Sequence, residues 1–168
     1  GGSDSASLDN ALEALTLSGR SMTHAMTMLV PPAYENDPSL SDDLRAFYKY
    51  HRCLCEPWDG PAALCFTDGI TVGACLDRNG LRPARFKITS DGVFVIGSEV
   101  GVTGISPASV VEKGRLGPGE MIAIDTASGR LLRDHEIKAS LAARKPYAEW
   151  LAAHLLEMSQ SKVANLPE

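Results

Sequence analysis

The sequence predicts an α+β domain in which helices cover antiparallel sheet, and two observations carry that assignment. Apolar residues recur at helical spacing before residue 52 and again after residue 135. Between those blocks, short strand-like runs are joined by turn residues such as Asp68-Gly69, Ser90-Asp91-Gly92 and Ser128-Gly129. Helices first, strands in the middle and helices last is the order of an α+β fold rather than of alternating βαβ units.

Taken in order, Leu8, Ala11, Leu12 and Leu15 form a helical stripe, with Ser3, Asp4, Ser5 or Ser7 available as N-cap and Gly19 as terminator. Ser21 caps a second helix whose stripe is Met22, Ala25, Met26 and Leu29, and Pro31-Pro32 stops it. The segment 34–40 reads as an irregular loop. Ser41-Asp42-Asp43 opens a third helix, with carboxylates at its positive end and Leu44, Phe47, Tyr48 and His51 on one face. His51 is expected to pack at the edge of that face, with catalysis or metal binding a minor option because no partner lies nearby in the sequence.

Strands follow at 62–67 and 70–76, and a two-residue Asp68-Gly69 turn would set Cys65 opposite Val72. A second pair spans 84–89 and 93–97. Val110-Val111 and Arg115-Leu116 read as two short strands on either side of Lys113-Gly114. Residues 121–125 and 130–133 form the last pair. The end is helical over 136–143 and 147–158, and 159–168 reads as a tail or linker.

At 168 residues the chain has the length of one domain, with 44% hydrophobic and 22% charged residues, an ordinary globular balance. The net charge, 16 − 21 = −5, invites neither nucleic acid nor an anionic membrane. No apolar run approaches the ~20 residues that span a bilayer, and the start lacks the parts of a secretory signal. The first residue is not methionine, so the sequence reads as cut from something longer or as carrying an added leader. Cys53, Cys55, Cys65 and Cys75 include no Cys-x-x-Cys pair, which argues against a metal cage. In the hairpin, Cys65 and Cys75 point to opposite faces, which disfavours a disulfide. Buried free thiols in a reducing cytoplasm are the expectation.

Unaided, the chain shows little chemistry: no phosphate-binding glycine loop, no His-Glu-x-x-His and no nucleophile elbow. Asp4 could bind an ammonium group or serve as an N-cap. Arg78, Arg82 and Arg85 could hold a carboxylate or phosphate, although salt bridges to the 21 acidic residues are the commoner fate.

Five segments add specificity through their order. They are Gly2 through Asn10 (Gly-Ser-Asp-Ser-Ala-Ser-Leu-Asp-Asn), Tyr50-His51 with Glu56-Pro57-Trp58-Asp59-Gly60-Pro61-Ala62, Leu76-Asp77-Arg78-Asn79-Gly80-Leu81-Arg82-Pro83-Ala84-Arg85, Ser98-Glu99-Val100-Gly101, and Pro118-Gly119-Glu120-Met121. Together, over 3–155, they closely resemble the C-terminal portion of the glutamine amidotransferase domain of the glutamate synthase large subunit. The run Asp77 to Pro83 also resembles, more distantly, the Asp-Pro-x-Gly-x-Arg-Pro segment of the glutamine phosphoribosylpyrophosphate amidotransferases. That alternative is disfavoured, because no phosphoribosyltransferase segment follows and 56–61 looks like glutamate synthase.

The resemblance implies part of an N-terminal-nucleophile hydrolase fold, an αββα sandwich of two antiparallel sheets between helical layers, lacking its first strands. It assigns 1–158 to that domain. The implied chemistry is attack by an N-terminal cysteine on the glutamine amide, with its own α-amino group as proton shuttle. An asparagine and a glycine N–H hold the oxyanion. Ammonia then passes to a site in another domain, where 2-oxoglutarate is aminated with FMN, an iron–sulfur cluster, and NADPH or ferredoxin as donor. None of these cofactors is expected in this chain, and no metal.

Residue by residue, only Asp4 carries over as a substrate ligand, resembling the aspartate that binds the glutamine α-amino group. No catalytic residue carries over, because residue 1 is Gly1 and the oxyanion pair and carboxylate-binding arginine are expected upstream. The chain alone is therefore expected to be inactive. Asp77, Arg78, Asn79, Gly80 and Arg82 are expected to be a structural fingerprint, with the arginines pinning a corner. Expected partners are glutamine in the complete domain, the other synthase domains, a small subunit in some forms, and a second copy if sheet edges are left unpaired. The competing reading is an amidotransferase-like module that regulates or scaffolds without catalysis.

Overall fold

Serine caps open each of the first three helices. Ser3 Oγ accepts from Ala6 N–H at 3.2 Å, Ser21 Oγ from His24 N–H at 3.3 Å and Ser41 Oγ from Leu44 N–H at 3.3 Å. The resulting helices are α1 (Asp4–Leu17), α2 (Met22–Leu29) and α3 (Asp42–Arg52). These come from a computed structural model that describes residues 2–99, 101 and 103–156. Strands β1 (Ala63–Thr67), β2 (Thr71–Leu76), β3 (Arg85–Thr89), β4 (Phe94–Gly97), β5 (Val110–Arg115), β6 (Met121–Asp125) and β7 (Arg130–Arg133) follow. Helices α4 (Asp134–Ala142) and α5 (Tyr147–His154) close the described chain.

All strand pairings are antiparallel, and they form two sheets of order β1-β2-β6-β7 and β4-β3-β5. Strand alternation then sorts the residues into layers. Leu64, Phe66, Cys75, Met121, Ala123 and Leu132 leave one face of the first sheet and meet all five α-helices, with Phe47 and Met26 at the centre of that core. Ala74, Leu76 and Ile122 leave the opposite face and meet Phe86, Ala84 and Leu116 of the second sheet region. The order is helices, sheet, sheet. Among the described residues, no helix contributes to the second cluster, so a fourth, helical layer is not supplied by them. Burying each large apolar side chain of these two cores contributes on the order of 1.5–3 kcal/mol.

Several expectations are corrected. The turn lies one residue further on than expected: Asp68 N–H donates to Thr71 O at 3.2 Å, Thr67 pairs with Val72, and Cys65 lies opposite Ala74 rather than Val72. The Asp68 carboxylate favours that position, its Oδ1 accepting from Ile70 N–H at 3.0 Å and Thr71 N–H at 2.6 Å across the Gly69-Ile70 tip. A shift of two keeps every side chain on its face, so Cys65 and Cys75 still point apart. The thiols are free, but only Cys75 is buried, while Cys53 and Cys65 are exposed. Residues 110–115 form one strand, not two. Gly114 does not break it, because it leaves room for the Phe86 ring, which a Cβ there would approach to 2.5 Å. Helix α4 begins at Asp134 rather than 136, since Glu136 Oε2 accepts from Arg133 N–H at 2.9 Å and caps the start from within the helix. The last helix stops at His154, where the backbone of Leu155 turns extended, rather than reaching 158; residues 157–158 and the expected tail 159–168 lie outside the described residues.

Candidate functional site

Asp4 is the first residue of α1, and Ser3 beside it is the cap. The Ser3 hydroxyl is 3.1 Å from that of Ser5, and Ser7 Oγ donates to Ser3 O at 3.3 Å, so the serines close the turn among themselves. The Asp4 side chain is exposed and has no hydrogen-bond or ion-pair partner among the described residues. A carboxylate is favoured at this end of a helix by the macrodipole, and it remains available to a cation.

Beside it, α1 runs along β1 and encloses a cleft. Ser5 and Asp9 of α1, Met26 of α2, and Leu64 and Phe66 of β1 line a recess of about 380 Å³. It continues, through Asp9, Leu12, Cys65 and Phe66, into a groove of about 750 Å³ that reaches Thr16 and Asp68. The outer wall is β1, an edge strand of the first sheet. Among the described residues no histidine or lysine lines either recess, so the exposed Cys65 thiol has no general base beside it.

The fingerprint stretch forms the corner where β2 ends. Asp77 is only 2% exposed. Its Oδ1 accepts from Ala62 N–H at 3.2 Å and its Oδ2 from Asn79 N–H at 3.0 Å. Its backbone carbonyl accepts from both Gly80 N–H at 3.0 Å and Gly119 N–H at 2.9 Å. Gly80 has φ +61°, and a Cβ there would come within 2.9 Å of Pro118. The corner thus ties the start of β1, the end of β2 and the 117–120 turn together, and Asp77 is its centre. The arginines act differently from one another. Arg82 Nε donates to Pro61 O at 3.2 Å, whereas Arg78 reaches out to Glu35 at 3.9 Å. Arg85 makes no ion pair among the described residues.

Two buried titratable groups were not singled out by the sequence. Lys138, buried, donates to Gly119 O at 2.9 Å and pairs with Asp134 at 2.8 Å, and Asp134 Oδ1 accepts from Met121 N–H at 2.8 Å. The spacing of four between Asp134 and Lys138 was the available signal. His24 meets His51, Nε2 to Nε2, at 3.0 Å. His51 is therefore buried and partnered, not at an edge. The signal for His24 was a helix apolar on nearly every side, in which any polar side chain needs a partner. Burial lowers both imidazoles from the usual histidine range, His24 to about 4.

Residues 1–150 match the family described as "Glutamine amidotransferases class-II". The chain belongs to that family. This amidotransferase chain is 49% identical to "Glutamate synthase [NADH]" of Schizosaccharomyces pombe, over 95% of its own length and 8% of that protein. It is 46% identical to "Glutamate synthase [NADPH] large chain" of Bacillus subtilis, over 94% of its length and 10% of the relative. Against "Ferredoxin-dependent glutamate synthase, chloroplastic" of Oryza sativa subsp. japonica the identity is 53%, over 89% of the chain and 9% of the relative. It therefore spans about a tenth of the length of these relatives. The relatives' names include NADH beside the NADPH and ferredoxin that the resemblance implied for the parent enzyme.

An iron–sulfur cluster needs converging thiolates. Here Cys65 and Cys75 leave opposite faces of one sheet, and among the described residues no three His, Cys, Asp or Glu converge on a metal position. The described residues do not fit such a cluster. Among the described residues no helix is long and apolar enough to cross a membrane.

Proposed function

We propose that this chain is part of the glutamine-hydrolysing domain of a glutamate synthase, with 1–158 as the C-terminal portion of that domain and 159–168 leading toward the next. The observation that carries the reading is the unpartnered Asp4 carboxylate at the N-terminus of α1, one residue from a cleft along the edge strand β1. Asp4 takes the α-ammonium of glutamine in a charge-assisted hydrogen bond, which fixes the substrate by the end remote from its amide. The cleft is the right scale for an amino acid and offers hydroxyl and apolar walls.

The nucleophile is supplied from outside this sequence. Cys65 lies in the cleft, but its nitrogen is locked in the β1 peptide backbone and cannot act as a free α-amino shuttle. The other domains of the polypeptide, in some forms with a small subunit, receive the ammonia and aminate 2-oxoglutarate with FMN and an iron–sulfur cluster. Relatives named for NADH, NADPH and ferredoxin are all about equally similar to this chain, which supports placing donor choice elsewhere. A cytoplasmic or similarly reducing setting fits the free thiols, two of them exposed.

The isolated chain should release no glutamate from glutamine, and turnover by a preparation free of contaminating glutaminase would refute the proposal. In the complete enzyme, Asp4→Asn should lower kcat/KM for glutamine roughly 10–100-fold, mostly through KM, the loss of one charge-assisted contact. Unchanged glutaminase kinetics in that variant would remove Asp4 from the substrate site, and a complete protein without any glutaminase activity would favour the scaffolding alternative.

A further inference from the structure

The second sheet carries a charge arrangement that the amidotransferase reading leaves unused. Arg85 of β3 lies directly opposite Arg115 of β5, and the next outward pair is Lys87 opposite Lys113. Like charges directly across an antiparallel ladder repel, with Cβ atoms roughly 5 Å apart. Neither Arg85, Arg115 nor Lys113 has an ion-pair partner among the described residues. Four cations in two facing pairs are unusual on a chain whose net charge is −5.

At the end of this face the chain folds a recess of about 390 Å³ between two loops, 80–85 and 115–118. Arg82, Arg85 and Arg115 all line it, and among the described residues no carboxylate does, the Glu120 carboxylate lying behind Gly117, from whose N–H it accepts at 2.7 Å. Its walls are fixed by backbone. Leu116 N–H donates to Ala84 O at 2.9 Å, and Gly80 packs so close to Pro118 that a Cβ would have no room. Arg82 is held by its Nε on Pro61 O at 3.2 Å, and its two terminal nitrogens have no other partner among the described residues. A recess with backbone-fixed walls and three arginines in its lining matches a multiply charged oxyanion.

We propose that this recess binds a small multivalent oxyanion, a polycarboxylate or a phosphate, which neutralises the Arg85–Arg115 pair. Arg82 grips the anion from the loop, and Arg85 and Arg115 complete the cradle from the facing ends of β3 and β5. The site lies on the outer face of the second sheet, whereas the Asp4 cleft borders the first, and the two share no lining residue. Binding is salt-sensitive because all three arginines are exposed.

The test is titration of the 168-residue chain with inorganic phosphate and, separately, with citrate, at ionic strength held constant with sodium chloride. Amide NMR shifts and thermal melting are the readouts. One anion should bind with 1:1 stoichiometry, with shifts centred on 80–85 and 115–118, and raise Tm. The stronger of the two identifies the class, phosphate or polycarboxylate. Arg115→Gln should weaken binding roughly tenfold, the loss of one charged contact. Arg85→Glu should abolish binding, yet raise Tm without anion by roughly 2–4 °C, because a repelling cross-strand pair becomes an attractive one. The proposal fails if neither anion outperforms chloride, if the shifts centre elsewhere, or if Arg85→Glu still binds.

Discussion

His24 and His51 share a single proton between their Nε2 atoms, 3.0 Å apart at the junction of α2 and α3. His51 Nδ1 is 2.8 Å from the Phe47 carbonyl, which only accepts, so that nitrogen carries a proton and Nε2 of neutral His51 is the acceptor. His24 then donates from Nε2. The two rings meet edge-on, with 82° between planes, and Tyr147 of α5 packs on His51 at a centroid distance of 5.2 Å. Three helices are thus fixed around one neutral pair.

Adding a proton breaks this arrangement. His24 is held down to about 4, first by burial and then by His51, Arg144 and Arg20, and burial also lowers His51. Both folded-state values lie below the unfolded one, so the unfolded chain takes up protons first as pH falls. Stability should be full above pH 6.5, decline between 6.5 and about 4, and then level off with respect to this pair. Urea unfolding at pH 7.5 and pH 4.5 should differ by about 1–3 kcal/mol from this source. In His24→Leu the pH slope should shrink; an unaltered slope would mean that other groups carry it.

The four thiols should separate by reactivity. Cys53 and Cys65 are exposed, Cys55 is half-buried, and Cys75 lies beneath the helical layer with burial pushing its thiol up to about 12. A disulfide reagent at pH 8 should modify Cys53 and Cys65 quickly, Cys55 more slowly and Cys75 only on unfolding. Mass mapping of the modified peptides reads the order. Rapid labelling of Cys75 in the folded chain would contradict the packing of β2.

Element order, the serine caps of α1 to α3 and the strands β6 and β7 were legible because each rests on local signals within a few residues. What sequence reasoning missed depends on partners far along the chain. Gly114 looks like a breaker until Phe86, 28 positions earlier, is seen to need the space. His24 and His51 are 27 residues apart, and Lys138 finds Gly119 across 19. For Asp4 the local part was legible, the helix start, but the cleft beside it exists only once α1 is laid along β1. Arg115 gave no sequence signal at all; only the β3–β5 register places it against Arg85.

Two glycines with nearly the same dihedral separate conformational strain from crowding. Gly119 has φ +64° and a Cβ there would fall 2.6 Å from Pro32 Cβ, whereas Gly129 has φ +69° and open space around it. Gly129→Ala should cost only the left-handed penalty, about 1 kcal/mol. Gly119→Ala adds a clash and loosens the hydrogen bonds to Asp77 and from Lys138, so it should cost about 3 kcal/mol or more. Thermal melting of the two variants side by side gives the difference, and equal losses would show that the Pro32 contact yields freely.

Asp77 tests whether the fingerprint corner is held by its carboxylate or by its arginines. Both Asp77 oxygens accept backbone N–H groups, at 3.2 Å from Ala62 and 3.0 Å from Asn79, in a position 2% exposed. Asp77→Ala leaves two part-buried donors without their acceptors, at a cost of about 1–3 kcal/mol. Asp77→Asn keeps one acceptor but turns an amide N–H₂ toward a backbone N–H, so it should lie between wild type and alanine. By contrast, Arg78 and its Glu35 partner are 3.9 Å apart and well exposed, 39% and 41%, so Arg78→Ala should change stability by less than about 0.5 kcal/mol. Urea denaturation of the three variants ranks them. If Arg78→Ala proved as damaging as Asp77→Ala, the corner would be held by its ion pair rather than by the buried carboxylate.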